Sequence, residues 1–234
     1  RTTPCHAYLT RHKTDIILAQ LFPSSGKSKH DLGPKLGSFV KKLVSIAKNH
    51  AIGVAGCRRN EHTEWAQLAE HYGFKSLLVD EKKGMSPAEV ASQATWGVYI
   101  AQKVLQRSVE LAELPPCEGG MFDFEDMLYM PLLRNLPLWD QTRVPNGYST
   151  IFVDEGQDVN TARAEMIKHL KRADGDTRII VVGDPLQAIY AFTGADHEAL
   201  DVLRRRFHAS TLPLSVTWRC PGAHVDLANR MMTR

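Results

Sequence analysis

Two short clusters of acidic and amide side chains carry the chemistry legible in this 234-residue chain. The first is Val153-Asp154-Glu155-Gly156-Gln157-Asp158, at the end of an apolar, β-rich run. Adjacent carboxylates at a strand end can divide the work of phosphate-ester hydrolysis. One can hold a Mg²⁺ ion, usually through water, while the other orients or deprotonates an attacking water. The same residues also fit a plain turn, with Asp158 capping the next helix. The second cluster is Val182-Gly183-Asp184-Pro185-Leu186-Gln187-Ala188-Ile189-Tyr190. A glutamine just past a strand end can bond a terminal phosphate or the attacking water. Alone, this cluster too reads as a turn.

Such side chains need strands to hold them. Ser149–Asp154 and Arg178–Asp184 are short apolar runs, the second of buried-strand type, and Leu212-Pro213-Leu214 is a further strand candidate. Helical patterns lie between and after them, at 161–171, 196–207 and 221–232. Apolar strands alternating with helices predict an α/β core with a parallel sheet, whose function gathers at the carboxyl ends of strands. The first half reads as helical, over 4–22, 35–50, 61–72 and 87–113. Leu36, Phe39, Val40, Leu43, Val44 and Ala47 fall at the 3-and-4 spacing of an amphipathic helix. Ser86, Pro87 and Glu89 supply a cap, a first-turn proline and a capping-box acid for the last of these. Pro115-Pro116 and Gly119-Gly120 mark the change of character.

Composition narrows the class. Apolar residues make up 43% and charged residues 24%, which excludes a disordered tail, a collagen-like fibre or a disulfide-stapled miniprotein. No run of 18 apolar residues exists to span a membrane as a helix. Cys5, Cys57, Cys117 and Cys220 are scattered, which fits free thiols in a reducing compartment. Neither they nor the ten histidines adopt a metal-ligand spacing. Charge is uneven. Residues 1–48 carry nine Lys and Arg against two acids, a net of +7, whereas 121–234 carry 13 against 15, a net of −2. A basic segment of this kind fits either contact with a polyanion or a solvated lysine-rich surface.

Order and spacing join the clusters. VDEGQD, then GDPLQAIYAFTGA, then Leu214-Ser215-Val216-Thr217-Trp218-Arg219 resemble motifs II, III and IV of the UvrD/Rep/PcrA group of superfamily 1 helicases. Phe122-Asp123-Phe124-Glu125-Asp126-Met127-Leu128 resembles the segment that precedes motif II there. The resemblance covers roughly residues 121–232. It implies ATP and Mg²⁺ as cofactors, with Asp154 on the metal and Glu155 as the base that activates water. Gln157 and Asp158 would couple the nucleotide site to motif III, and Asp184 would join them in binding the cofactor. Gln187 and Arg219 would touch the γ-phosphate, and Trp218 would stack on adenine. Tyr190 and Phe192 would face single-stranded DNA. Thr3-Pro4-Cys5-His6 weakly resembles the T-F-H block of the group, which places His6 near the DNA. The chain departs from the usual pattern where Thr193 stands for Arg, Thr217-Trp218 for Asn-Tyr, Cys220 for Ser and Gly156 for Ala.

The P-loop of the group, GxxxxGK[ST], is not found. Ser24-Ser25-Gly26-Lys27-Ser28 lacks the first glycine, Leu21 standing there, and follows a helical run rather than a strand. The resemblance therefore implies a piece of a longer chain, cut between the P-loop and the second motor domain and inactive by itself. Residues 1–22 would follow the P-loop region of motor domain 1A, 23–118 would be a helical 1B-like insertion, and 119–234 the RecA-like 1A core. The implied parent is a 3′→5′ DNA translocase acting on single strands and single/double-strand junctions. It would be cytoplasmic and nucleoid-associated in a bacterium or phage, nuclear in a eukaryote, and not secreted. A helicase subunit of a recombination helicase–nuclease complex shares the same motifs. A degenerate motor kept as a DNA-binding module is the alternative outside enzymes, with Thr193 its only support.

Overall fold

The computed structural model describes residues 8–22, 32–79, 84–188 and 199–232. His6, Tyr190, Phe192 and Thr193, with the 24–28 and 3–6 strings, lie outside these residues. Two compact units result, divided after Leu200.

The first unit opens with a short strand, β1 (Tyr8–Leu9), and not with the helix expected over 4–22. Thr10 explains the difference. Its N–H donates to the Phe122 carbonyl at 2.8 Å, and its hydroxyl accepts from His12 N–H, closing a turn. Pairing with a distant strand overrides local helix propensity here. The helix proper is α1 (Lys13–Leu21). Next come α2 (Pro34–Asn49), α3 (His62–His71) and α4 (Pro87–Glu113). The capping box of α4 forms as its sequence predicts. Ser86 Oγ accepts from Glu89 N–H at 3.3 Å, and Glu89 accepts from Ser86 N–H at 2.7 Å.

These helices share one apolar core. Phe39, Val40, Leu43, Trp65, Leu68, Ile100, Ala101 and Val104 are fully or almost fully buried in it. Each large apolar side chain so buried contributes roughly 1.5–3 kcal/mol. Gly97 lets α4 approach α2. A Cβ there would meet the buried Phe39 ring at 2.6 Å.

After α4, β2 (Met121–Phe122) pairs parallel with β1, and α5 (Asp126–Leu133) follows. Then come β3 (Thr150–Val153), α6 (Thr161–Leu170) and β4 (Arg178–Val181). β3 and β4 pair in parallel, with Thr150 opposite Arg178 and Val153 opposite Val181. This is the β-α-β order read from the sequence. The described chain thus mixes helices with small parallel sheets. The strands are less buried than their apolar runs predict. Ile151 is covered, but Phe152 and Ile180 on alternate positions are exposed. Two strands alone leave half of their side chains without a layer to pack on.

The second unit takes in most of α7 (Ala199–Phe207) and all of α8 (Gly222–Met232). The strand expected at Leu212–Leu214 does not form. The segment is irregular and exposed, with no strand paired to it among the described residues. No described helix is long and apolar enough to cross a membrane. Cys117 and Cys220 are exposed free thiols.

Candidate nucleotide site

Parallel register brings the two acidic clusters side by side. Val182 N–H donates to the Val153 carbonyl at 2.8 Å, and Gly156 N–H donates to the Val182 carbonyl, also at 2.8 Å. The chain then leaves β3 and β4 through two 3₁₀ turns, Gly156–Asp158 and Pro185–Gln187.

A relay of hydrogen bonds joins these turns. Gln157, buried to 3% exposure, donates from Nε2 to Glu155 Oε2 at 2.6 Å. Its Oε1 accepts from Asp184 N–H at 3.0 Å. Asp184 in turn accepts from Leu186 N–H at 3.0 Å and from Gln187 Nε2 at 2.8 Å. Glu155, Gln157, Asp184 and Gln187, four residues singled out in the sequence, are therefore one connected set. An amide at 157 suits the middle of it, since it donates on one side and accepts on the other.

The backbone at Glu155 is left-handed, at φ 50° and ψ 48°. A non-glycine residue in this region costs about 1–2 kcal/mol. Strain of this sort is held where the surroundings over-determine it, commonly at functional sites. Here it aims an exposed carboxylate out of the sheet. Asp154 is also exposed, with one carboxylate oxygen accepting Glu155 N–H at 3.0 Å. Asp158 Oδ1 is buried without a hydrogen-bond partner among the described residues.

The two glycines in these turns are set by close approach. A Cβ on Gly183 would lie 2.5 Å from Gln157 Oε1 and 2.9 Å from Gly156 N. Backbone cannot yield as a side-chain tip can, so Gly183→Ala must displace the relay. It should destabilise the chain by about 1–3 kcal/mol, the cost of overpacking, readable as a lower urea midpoint. A Cβ on Gly156 would lie 2.4 Å from Val181 Cγ1. The departure from alanine at 156 is thus matched to its β4 neighbour.

The turn that follows the site is tied to the helical region. Asn160 caps α6, accepting Arg163 N–H at 3.0 Å, and donates to Asn49 Oδ1 at the end of α2 at 2.9 Å. Thr161 Oγ1 lies 3.3 Å from His50 Nδ1.

Trp218 and Arg219 belong to the second unit and are described there alone. Both are exposed, Trp218 at 97%. Thr217 Oγ1 accepts from the amides of Arg219 at 3.3 Å and Cys220 at 3.4 Å. Threonine thereby organises the turn that displays the indole and guanidinium.

Sequence reading missed a second cluster. Lys13 of α1 and Lys48 of α2 are buried, and both pair with Asp126 at the start of α5, at 2.6 and 2.8 Å. Lys48 also pairs with Asp123 at 2.6 Å, and Lys13 donates to the Ser108 carbonyl at 2.8 Å. The acids cross-cap each other, Asp123 N–H to Asp126 and Asp126 N–H to Asp123. Burial pushes Asp126 up, but the two ammonium groups outweigh it and hold the carboxyl below the usual range. Burial, aided by the Asp126 charge, pushes Asp123 up. Burial also lowers Lys13 against the pull of Asp126. Lysines standing on the apolar stripes of α1 and α2 were the available signal.

Two parallel strands present linked carboxylates and amides from their carboxyl ends, the edge at which open α/β sheets carry their ligand sites. The UvrD/REP helicase N-terminal domain family matches residues 6–208. The chain belongs to that family. It is similar to the ATP-dependent DNA helicase Rep of Escherichia coli, 34% identical over 122 residues, 50% of this chain and 17% of that protein. DNA helicase IV of the same organism is 27% identical over 111 residues, 47% of this chain and 16% of that protein. The RecBCD enzyme subunit RecB is 30% identical over 94 residues, 40% of this chain and 8% of that protein. The chain thus spans a small part of each of these relatives.

Proposed function

We propose that this chain is part of the first motor domain of an ATP-dependent DNA helicase or translocase. The single observation that carries the reading is the relay from Glu155 through Gln157 and Asp184 to Gln187. It links a carboxylate placed to activate water with an amide placed to sense a phosphate, across two strands. Residues 1–22 and 119–234 belong on this reading to a RecA-like core, and 23–118 to its helical insertion.

Glu155 takes a proton from the attacking water, or holds that water in line. Gln187 bonds the terminal phosphate and, through Asp184 and Gln157, reports its presence to Glu155. Asp154 would hold Mg²⁺, which when bound neutralises charge on the phosphates. One open carboxylate fits that ion, which keeps several waters and binds through one or two carboxylates plus phosphates. Trp218 and Arg219 supply an aromatic face for a purine and a planar cation for a phosphate. Tyr190, Phe192 and His6 are the proposed DNA contacts, on single strands or junctions with duplex.

The match to RecB supports a second reading, a helicase subunit of a helicase–nuclease complex. Both readings share the motor. The test is ATP hydrolysis by the full-length parent, with and without single-stranded DNA. A DNA-stimulated rate is expected. A parent that binds DNA but never hydrolyses ATP would instead be a DNA-binding module.

A further inference from the structure

The outer face of α4 carries aromatic side chains that the core does not use. Trp96 and Tyr99 are 43% and 46% exposed. Their rings are stacked, with centroids 5.3 Å apart and planes 16° from parallel. Lys103 Nζ sits over the Tyr99 ring at 5.8 Å. The helix buries its other side, where Gly97 abuts Phe39 and Val98, Ala101, Val104 and Leu105 are covered. Trp96 and Tyr99 therefore stand one turn apart with much of their ring surface in water.

The stretch of helix that bears the pair carries charge of one sign. From Ala91 to Val109 the helix has no Asp or Glu, but it has Lys103, Arg107 and three glutamines. The 58–62 loop runs alongside. Gln102 Nε2 donates to the Asn60 carbonyl at 3.5 Å, and His62 Nε2 lies 3.4 Å from the Thr95 carbonyl. That loop adds Arg59, whose side chain is 81% exposed. The acids beside this face are paired: Glu61 with Arg59 at 3.5 Å, Glu110 with Arg107 at 2.8 Å, and Glu113 with Arg134. Aromatic faces, amides and cations without free carboxylates suit a nucleic-acid strand, whose bases stack and whose phosphates are anionic.

We propose that Trp96 and Tyr99, with Lys103, form a stacking platform for single-stranded DNA, separate from the strand-end turns. A base lies on the free face of the aromatic pair, and Lys103 neutralises a flanking phosphate. The inference rests on the reading that the protein works on DNA.

The test uses the full-length parent and a fluorescent oligothymidine, with affinity read by anisotropy at low salt. Removal of both rings in W96A/Y99A should weaken binding about tenfold, as loss of one stacked base does. W96F/Y99F, which keeps two flat faces, should restore most of the affinity. An oligonucleotide carrying iododeoxyuridine should cross-link to the peptide that contains Trp96 and Tyr99. Equal affinity of W96A/Y99A and wild type, with no such cross-link, overturns the platform while DNA binding stands. A wild type that binds no DNA overturns the platform together with the DNA reading. If W96A/Y99A changes self-association in light scattering but not DNA affinity, the face joins protein chains and the proposal is wrong.

Discussion

Glu155→Gln in the full-length parent should lower ATP turnover by about a hundredfold or more, the usual worth of a positioned general base. Nucleotide binding should be kept. The amide oxygen of the new residue can still accept from Gln157 Nε2, so the relay to Asp184 and Gln187 stays joined. Only the basic carboxylate is lost. The substitution is close in size and keeps the left-handed backbone at 155, so the fold should not change. Steady-state phosphate release reads the first effect, and titration with a fluorescent ATP analogue reads the second. Wild-type turnover in the variant would remove Glu155 from the chemistry. Loss of both turnover and binding would make it a binding residue.

Much of the site was legible because parallel strands impose simple geometry. An apolar run followed by Asp-Glu must present the acids where the strand ends, and the run at 178–181 does the same for Asp184 on the paired strand. Residue types alone, however, could not reveal that Gln157 faces back toward Glu155 while its other atom holds Asp184. That depends on the tight turn at Gly156 and on the space left by Gly183. Helices α2 and α4 were legible almost to the residue, since periodicity and the Ser86 box act locally. β1 was not, because its reason is the partner strand 113 residues further on, Tyr8 beside Met121. The Trp96 and Tyr99 pair was also missed. Two aromatics on a long helix look like core until the face that packs is known.

Asp126→Ala should strongly destabilise the chain. Asp126 is fully buried and is the partner that Lys13 and Lys48 share. Removing one member of a buried ion cluster leaves uncompensated charge and costs about 3–5 kcal/mol. That is a large share of the roughly 5–15 kcal/mol that holds a domain folded. The cluster ties α1, α2 and the start of α5, so its loss should loosen the whole first unit. Asp123→Asn should be much milder. The new carbonyl oxygen still accepts Asp126 N–H, and Lys48 keeps Asp126. The two acids also differ in the sign of their pH dependence. Asp126 is depressed in the folded chain, so its share of stability is present above the ordinary carboxylate pKa and is lost as pH falls through the folded value. Asp123 is raised, so the folded chain takes its proton first and gains relative stability on acidification. Removing that gain, Asp123→Asn should lose stability more steeply than wild type as pH is lowered. Urea unfolding of the three proteins at neutral and mildly acidic pH checks both claims. A midpoint for Asp126→Ala equal to that of wild type would show that the cluster does not hold the unit together.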